Sequence, residues 1–243
     1  MDCYTVFWRE MLSFKRVFWK FIASRLVGPV LYLVAFGWGL GRSITTNGGS
    51  YLDFVVPGII ALSAMTVSFN AVGISLNMSR LYHKTLEEYL LAPISSLSFV
   101  LGKVLAGTVR GLVGALIILA LGFLFGARPA AGSGFFAVIL LTCLLFAALG
   151  VVAAMTAPSH EDMANFSTFV ILPMAFLCGT FFRAENLPGV VADIVYALPL
   201  THTSYALRAL AAGKGLPLVS LAVLTGYAAA CLTAAVWTVR RLR

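Results

Sequence analysis

Residues 135–156 read FFAVILLTCLLFAALGVVAAMT, 22 positions without one charged side chain. A helix needs ~20 mostly apolar residues to cross the hydrocarbon of a bilayer. Working outward, similar runs occupy 22–40, 54–78, 102–125, 164–182 and 216–239. Six spans of ~20 residues use about half of a 243-residue chain and leave only short connections. The composition agrees, at 60% hydrophobic and 11% charged. A soluble domain is about 45–50% apolar and about 25% charged. A soluble enzyme, a disordered chain and a disulfide-stapled secreted domain are therefore excluded. The expected fold is an all-α polytopic membrane protein, with 1–243 forming a single transmembrane domain.

The formal net charge of +8 would suggest nucleic acid in a soluble protein. Here the basic residues flank apolar runs, as they do where they hold loops on the cytoplasmic side. With both termini inside, eleven Lys and Arg fall on inner segments and five on outer ones. Arg25 and Lys103 stand at the inner ends of their runs, and Arg110 alone lies deeper within a span. This count predicts cytoplasmic N- and C-termini, with Arg240, Arg241 and Arg243 as the final stop. The first run follows a long basic lead without a clear small-residue cleavage site, so it reads as a retained helix rather than a signal peptide. Cys3, Cys143, Cys178 and Cys231 are isolated and form neither a disulfide framework nor a zinc site.

The fifth run, 164–182, contains Pro173 and Gly179, and a kinked or broken helix is expected there. The outer segment 183–215 is not a plain polar loop. Val190–Leu198 and Ser204–Ala212 each read as a short helix, separated by Pro199. They either re-enter the membrane or cap it from outside.

Two segments have an amphipathic helical period. In residues 1–21, Phe7, Met11, Phe14, Phe18 and Phe21 share one face at about 100° per residue. Arg9, Ser13, Arg16 and Lys20 fall opposite. The segment reads as an interface helix flanked by Trp8 and Trp19, either a lead into the first span or a dock for a cytoplasmic partner. In residues 80–92, Tyr82, Leu86 and Tyr89 mark one side, while Arg80, Lys84, Glu87 and Glu88 supply charge. Pro93 ends this helix, and Ser95 or Ser96 can cap the next. The glutamates disfavour an anionic lipid surface and favour docking in a groove of a protein partner.

No phosphate-binding loop, HExxH or GxSxG is present. His160-Glu161-Asp162 reads as a solvated turn in preference to a metal site. Carboxylates are absent from the middles of the spans, which weakens an ion-coupled transporter. A membrane-embedded enzyme is disfavoured for want of a clustered nucleophile, base or metal ligands. Arg110 either snorkels to the inner surface, pairs with a carboxylate, of which Glu161 and Asp162 are candidates, or lines a substrate path. Gly107 and Gly111, like Gly37 and Gly41, have a spacing that permits close helix packing.

Four patches, in order, carry a family resemblance. They are Tyr51-x-x-Phe54-x-x-Pro57-Gly58; Arg80 with Thr85-Leu86-Glu87, Leu90, Pro93 and Gly102-Lys103; Gly179 to Phe182 with Leu187-Pro188; and Leu198-Pro199-Leu200-Thr201-His202 with Arg208. The chain resembles membrane subunits of type-2 ATP-binding-cassette exporters, the group with daunorubicin-type drug and nodulation lipo-oligosaccharide export permeases. Lys84 departs from the pattern by replacing a usual Gly, and Arg183 stands where Pro is common.

The resemblance implies a permease with no nucleotide site of its own. ATP and Mg would be bound by two copies of a partner ATPase subunit. A second permease copy or homologue would complete the transporter, alongside membrane lipids and an amphipathic substrate, with no nucleic acid. Phe7, Met11, Phe14, Arg16 and Phe18 would belong to an interface helix. Arg80 to Tyr89, including Thr85, would belong to a coupling helix seated in the ATPase. His160, Glu161 and Asp162 would make a second cytoplasmic contact. Spans one and five would form a gate across the dimer, with Tyr32, Phe36, Phe169, Phe176, Phe181 and Phe182 as gate or pathway candidates.

Overall fold

The computed structural model describes residues 2–34, 51–92, 94–177 and 189–241. Their regular structure is entirely helical. In order come α1 (Asp2–Val34), α2 (Tyr51–Leu81), α3 (Thr85–Leu91), α4 (Ser96–Leu124) and α5 (Ser133–Thr156). They are followed by α6 (His160–Phe166), a π turn at Ser167–Ile171, α7 (Leu172–Leu177), α8 (Gly189–Ala197), α9 (Pro199–Ala211) and α10 (Leu218–Arg240).

Four of these helices, α2, α4, α5 and α10, are long and apolar enough to cross a membrane. The first and fifth expected spans extend beyond the described residues. What is described of the fifth is helical from His160 to Leu177 with the π turn inside it. That wide turn lies just before Pro173, which has no N–H for the carbonyl four residues back.

Proline also sets three of the boundaries. Ala92, Ala157 and Leu198 each precede a proline, and each is extended, with ψ of 148°, 114° and 136°. Steric conflict with the proline ring drives the preceding residue out of the helical region. Ser95 starts α4 by accepting the Ser98 N–H at 3.1 Å, and Ser159 starts α6 by accepting the Asp162 N–H at 3.0 Å.

The core is a three-helix packing of α2, α4 and α5, with α10 against α5 and α1 against α4. One apolar cluster fills the end where α2 begins and α5 begins, and α9 closes it with Leu200, Ala206 and Leu207. A second fills the opposite end, where Val6 of α1, Leu76 of α2, Leu86 of α3 and Phe99 of α4 meet. Small residues let the backbones approach, as is usual where helices pack in lipid. A Cβ on Gly150 of α5 would stand 2.7 Å from the Phe69 carbonyl oxygen of α2 and 3.1 Å from the Gly73 nitrogen. Gly107 and Gly111 are likewise buried where α4 meets α2 and α5.

The structure differs from the sequence reading at several boundaries, and the helix expected at Ser204–Ala212 is α9, opened by Pro199. Residues 1–21 and 22–34 are not separate helices, because α1 runs unbroken through the expected boundary. Its first half lies lengthwise on α4, with Val6 at Gly102, and Glu10 and Phe14 at Arg110. A further difference is in 80–92, where the helix is only Thr85–Leu91. Arg80 belongs to the last turn of α2, and Tyr82 and His83 form the bend between.

Gly150→Ala is expected to force α2 and α5 apart, because backbone atoms cannot yield as a side-chain tip can. The expected cost is about 1–3 kcal/mol, measurable as a lower unfolding temperature in detergent. An unchanged transition would show that the crossing is looser than this.

Candidate functional site

The α3 end of the bundle gathers most of the residues singled out in the sequence. Helix α3 is amphipathic over its two turns. Leu86 is 4% exposed and Tyr89 is half-buried, whereas Lys84, Glu87 and Glu88 are exposed. Glu87 and Glu88 are neighbours on its outward side, and Lys84 stands just before its first turn. Tyr82 is also exposed, and Thr85 is half-buried. The helix is thus anchored by one face and presents its two glutamates on the other, with Lys84 at its entry.

Its entry is strained. Lys84 has φ of 52° and ψ of 12°, the left-handed region, and it is the one non-glycine with positive φ among the described residues. A left-handed L-residue with a Cβ costs roughly 1–2 kcal/mol. This gives a physical reason for the glycine that the resembling family uses there.

Arg80 has a separate task. Its Nη1 donates to the carbonyls of Ala154, Met155 and Ala157 at 3.1, 2.6 and 3.3 Å. Those carbonyls end α5, where a cation both fills open acceptors and meets the negative end of the helix dipole. Arg80 is therefore a clamp between α2 and α5, not a member of the α3 surface.

The anchor of α3 reaches α1 and α4. The Tyr89 ring lies 5.1 Å from that of Phe99, with the Arg9 guanidinium 5.0 Å and the Lys103 ammonium 5.5 Å from its centroid. Lys103 Nζ is 2.5 Å from Glu10 Oε1, and Arg110 Nη2 is 3.0 Å from Glu10 Oε2. Arg110 also donates to the Glu10 backbone carbonyl at 3.0 Å. Burial pushes the Glu10 carboxyl up, but the two cations outweigh it and hold the group below the ordinary glutamate range. Its contribution to stability is present above the ordinary value and is lost as pH falls through the lowered one.

Arg110 thus has a carboxylate partner, but it is Glu10 and neither Glu161 nor Asp162. Sequence reasoning missed Glu10. The signal was available: Glu10 stands one turn before Phe14 on the apolar side of α1, apart from Arg9, Ser13, Arg16 and Lys20.

The remaining expectations divide. On α1, Phe14 is buried, Phe7, Met11 and Phe18 are half-buried, and Arg16 is exposed. His160, Glu161 and Asp162 are all exposed, at the same end of the bundle as α3, with His160 Nδ1 3.3 Å from Asn77 Oδ1. Phe169 and Phe176 are 76% and 52% exposed on one outer face of the 160–177 helix. The side chains of Tyr32 and Tyr51, and residues Phe36, Phe181 and Phe182, lie outside the described residues. So does the third patch of the resemblance, from Gly179 to Pro188.

The first and fourth patches build the opposite end. Pro57 and Gly58 are buried in α2, and the Phe54 carbonyl accepts from Arg208 Nε at 3.1 Å while the guanidinium covers the Phe54 ring at 3.8 Å. Pro199 opens α9 at the first-turn position that proline favours. Thr201 Oγ1 donates to the Val195 carbonyl at 2.5 Å, His202 Nε2 to Tyr196 at 2.9 Å, and Tyr227 of α10 to Ala197 at 2.7 Å. Three carbonyls at the end of α8 are thereby satisfied by side chains. The motif is a structural corner.

These features define a polytopic helical membrane protein with a charged, anchored helix at one end of its bundle. The chain belongs to the ABC-2 type transporter family, which matches residues 1–211. It is 34% identical over 228 residues to nodulation protein J of Rhizobium meliloti (strain 1021), covering 88% of this chain and 82% of that protein. It is 28% identical over 196 residues to the inner membrane transport permease YadH of Escherichia coli (strain K12), covering 80% of this chain and 76% of that protein. Permeases of this family are membrane components, not catalytic themselves, and work with ATP-binding-cassette subunits.

Lys84→Gly is expected to stabilise the start of α3 by about 1 kcal/mol, and Lys84→Val to destabilise it, since β-branching is poorly tolerated at positive φ. Amide hydrogen exchange of residues 85–91 reads both. Equal protection in the two variants would refute the strained entry.

Proposed function

We propose that this chain is the permease subunit of an ATP-driven exporter, moving an amphipathic, lipid-linked or drug-like molecule across the plasma membrane. Two copies of a separate ATPase subunit bind ATP and Mg and supply the energy. A second permease copy or homologue completes the pathway. The reading includes six spans, with the two termini and the α3 end in the cytoplasm of an inner-membrane protein.

The observation that carries the reading is α3 itself. A seven-residue helix held by Leu86 and Tyr89 exposes Glu87 and Glu88, with Lys84 exposed at its entry. Such a face suits a groove in a partner protein. His160, Glu161 and Asp162, exposed at the same end, supply a second contact. Export then follows if nucleotide favours one arrangement of the permease over another, because a ligand shifts an equilibrium only through differential affinity.

Within the substrate class, the relatives named nodulation protein J favour a lipo-oligosaccharide or polysaccharide. An ion-coupled transporter working alone predicts transport in pure vesicles under a gradient without the ATPase.

Replacing Glu87 and Glu88 together by Lys is expected to abolish copurification of the ATPase subunit with tagged permease. The permease fold should be unaffected, because both side chains are exposed. Full recovery of the ATPase with the double variant would exclude α3 as the docking element.

A further inference from the structure

We infer that Glu10 is a positioning residue for coupling: its carboxylate ties α1 to α4 so that α1 follows α3 when the partner ATPase moves α3. The inference rests on the reading of α3 as the docking element and adds the route by which its motion enters the membrane.

The geometry is that of a joint. Lys103 and Arg110 lie seven residues apart on α4, two turns along one face and ~10.5 Å in rise. A single carboxylate spans them, with Oε1 on Lys103 and Oε2 on Arg110. The three side chains are 14%, 6% and 14% exposed for Glu10, Lys103 and Arg110, so water screens them little. Arg110 extends the joint to α2 through the Ala71 carbonyl at 3.4 Å.

Helix α3 engages the same joint. Tyr89 is held between Arg9 of α1 and Lys103 of α4, the lysine that also binds Glu10. Leu86 is buried in the cluster that contains Val6 of α1 and Phe99 of α4. A displacement of α3 therefore bears on α1 and α4 together. Without the carboxylate, α1 loses both ion pairs to α4 and keeps its apolar contacts, which are non-directional and permit sliding, and one hydrogen bond from Arg110 to the residue-10 carbonyl. Lys103 and Arg110 would meanwhile repel each other without a counter-charge. Glu10 is the only acid on the buried side of α1; Asp2, the other acid of that helix, sits in its first turn.

The test uses the assembled permease–ATPase complex in vesicles of phosphatidylethanolamine and phosphatidylglycerol, with spin labels in pairs. One pair joins Ser13 on α1 to Val219 on α10, and the other joins His83 beside α3 to Val219; all three positions are exposed. Distances are compared without nucleotide and with Mg-ATP and vanadate. In the otherwise native complex both distances should change. In Glu10→Gln the α3 distance should still change and the α1 change should be lost. The double variant Glu10→Lys with Lys103→Glu reverses the ion pair between positions 10 and 103, re-forming one charged tie between α1 and α4, and should restore the α1 change at least in part.

An α1 change that persists in Glu10→Gln overturns the inference, as does an exchanged pair that folds but leaves α1 still. If α3 itself fails to respond in the native complex, the coupling reading falls, and this inference with it. Should Glu10→Gln fail to fold, the exchanged pair decides alone.

Discussion

Two cations buried beside one carboxylate constrain how this chain can be assembled. Removing charges from water is expensive, and mutual attraction offsets the cost only where the geometry is close. Glu10 provides that geometry by giving one oxygen to Lys103 and the other to Arg110. The contact places α1 lengthwise on α4 in one register, with Val6 opposite Gly102 and Phe14 over the Arg110 guanidinium. Once α1 is fixed, Arg9 and Val6 complete the seat of α3, so the charged outward face of α3 has a rigid base.

The same economy of polar groups governs both ends of the bundle. Helix C-termini leave carbonyls open, and in a membrane protein water is not always there to fill them. Arg80 fills those of α5 from α2. Thr201, His202 and Tyr227 fill those of α8 from α9 and α10. Several motif residues that resemble an export family thus act by closing helix ends. The surface that remains free for a partner is narrower than the motif: Lys84, Glu87 and Glu88, with Tyr82 beside them.

Local rules made much of the fold legible. The uncharged run at 135–156 became α5, and the prolines at 93, 158 and 199 ended elements through the residues before them. Ser95 capped α4 as its position suggested. Less legible was the extent of the second amphipathic helix. The pattern from Arg80 to Ala92 is continuous in polarity, but Arg80 is claimed by the α5 carbonyls and the chain bends at Tyr82 and His83. A left-handed Lys84 could be suspected only from the glycine that the resembling family prefers there.

Sequence alone determined the class: apolar runs of membrane length and few charges. These depend on composition and short-range periodicity, which a chain carries before it folds. Only the tertiary structure decided what the isolated charges do. Glu10 is 93 residues from Lys103 and 100 from Arg110 along the chain. The place of Glu10 on the apolar side of α1 marks it as an acid to be buried, but no local pattern names Arg110 as its partner. The choice is made by which helices pack side by side, and α1 packs on α4 while the 160–162 turn remains exposed.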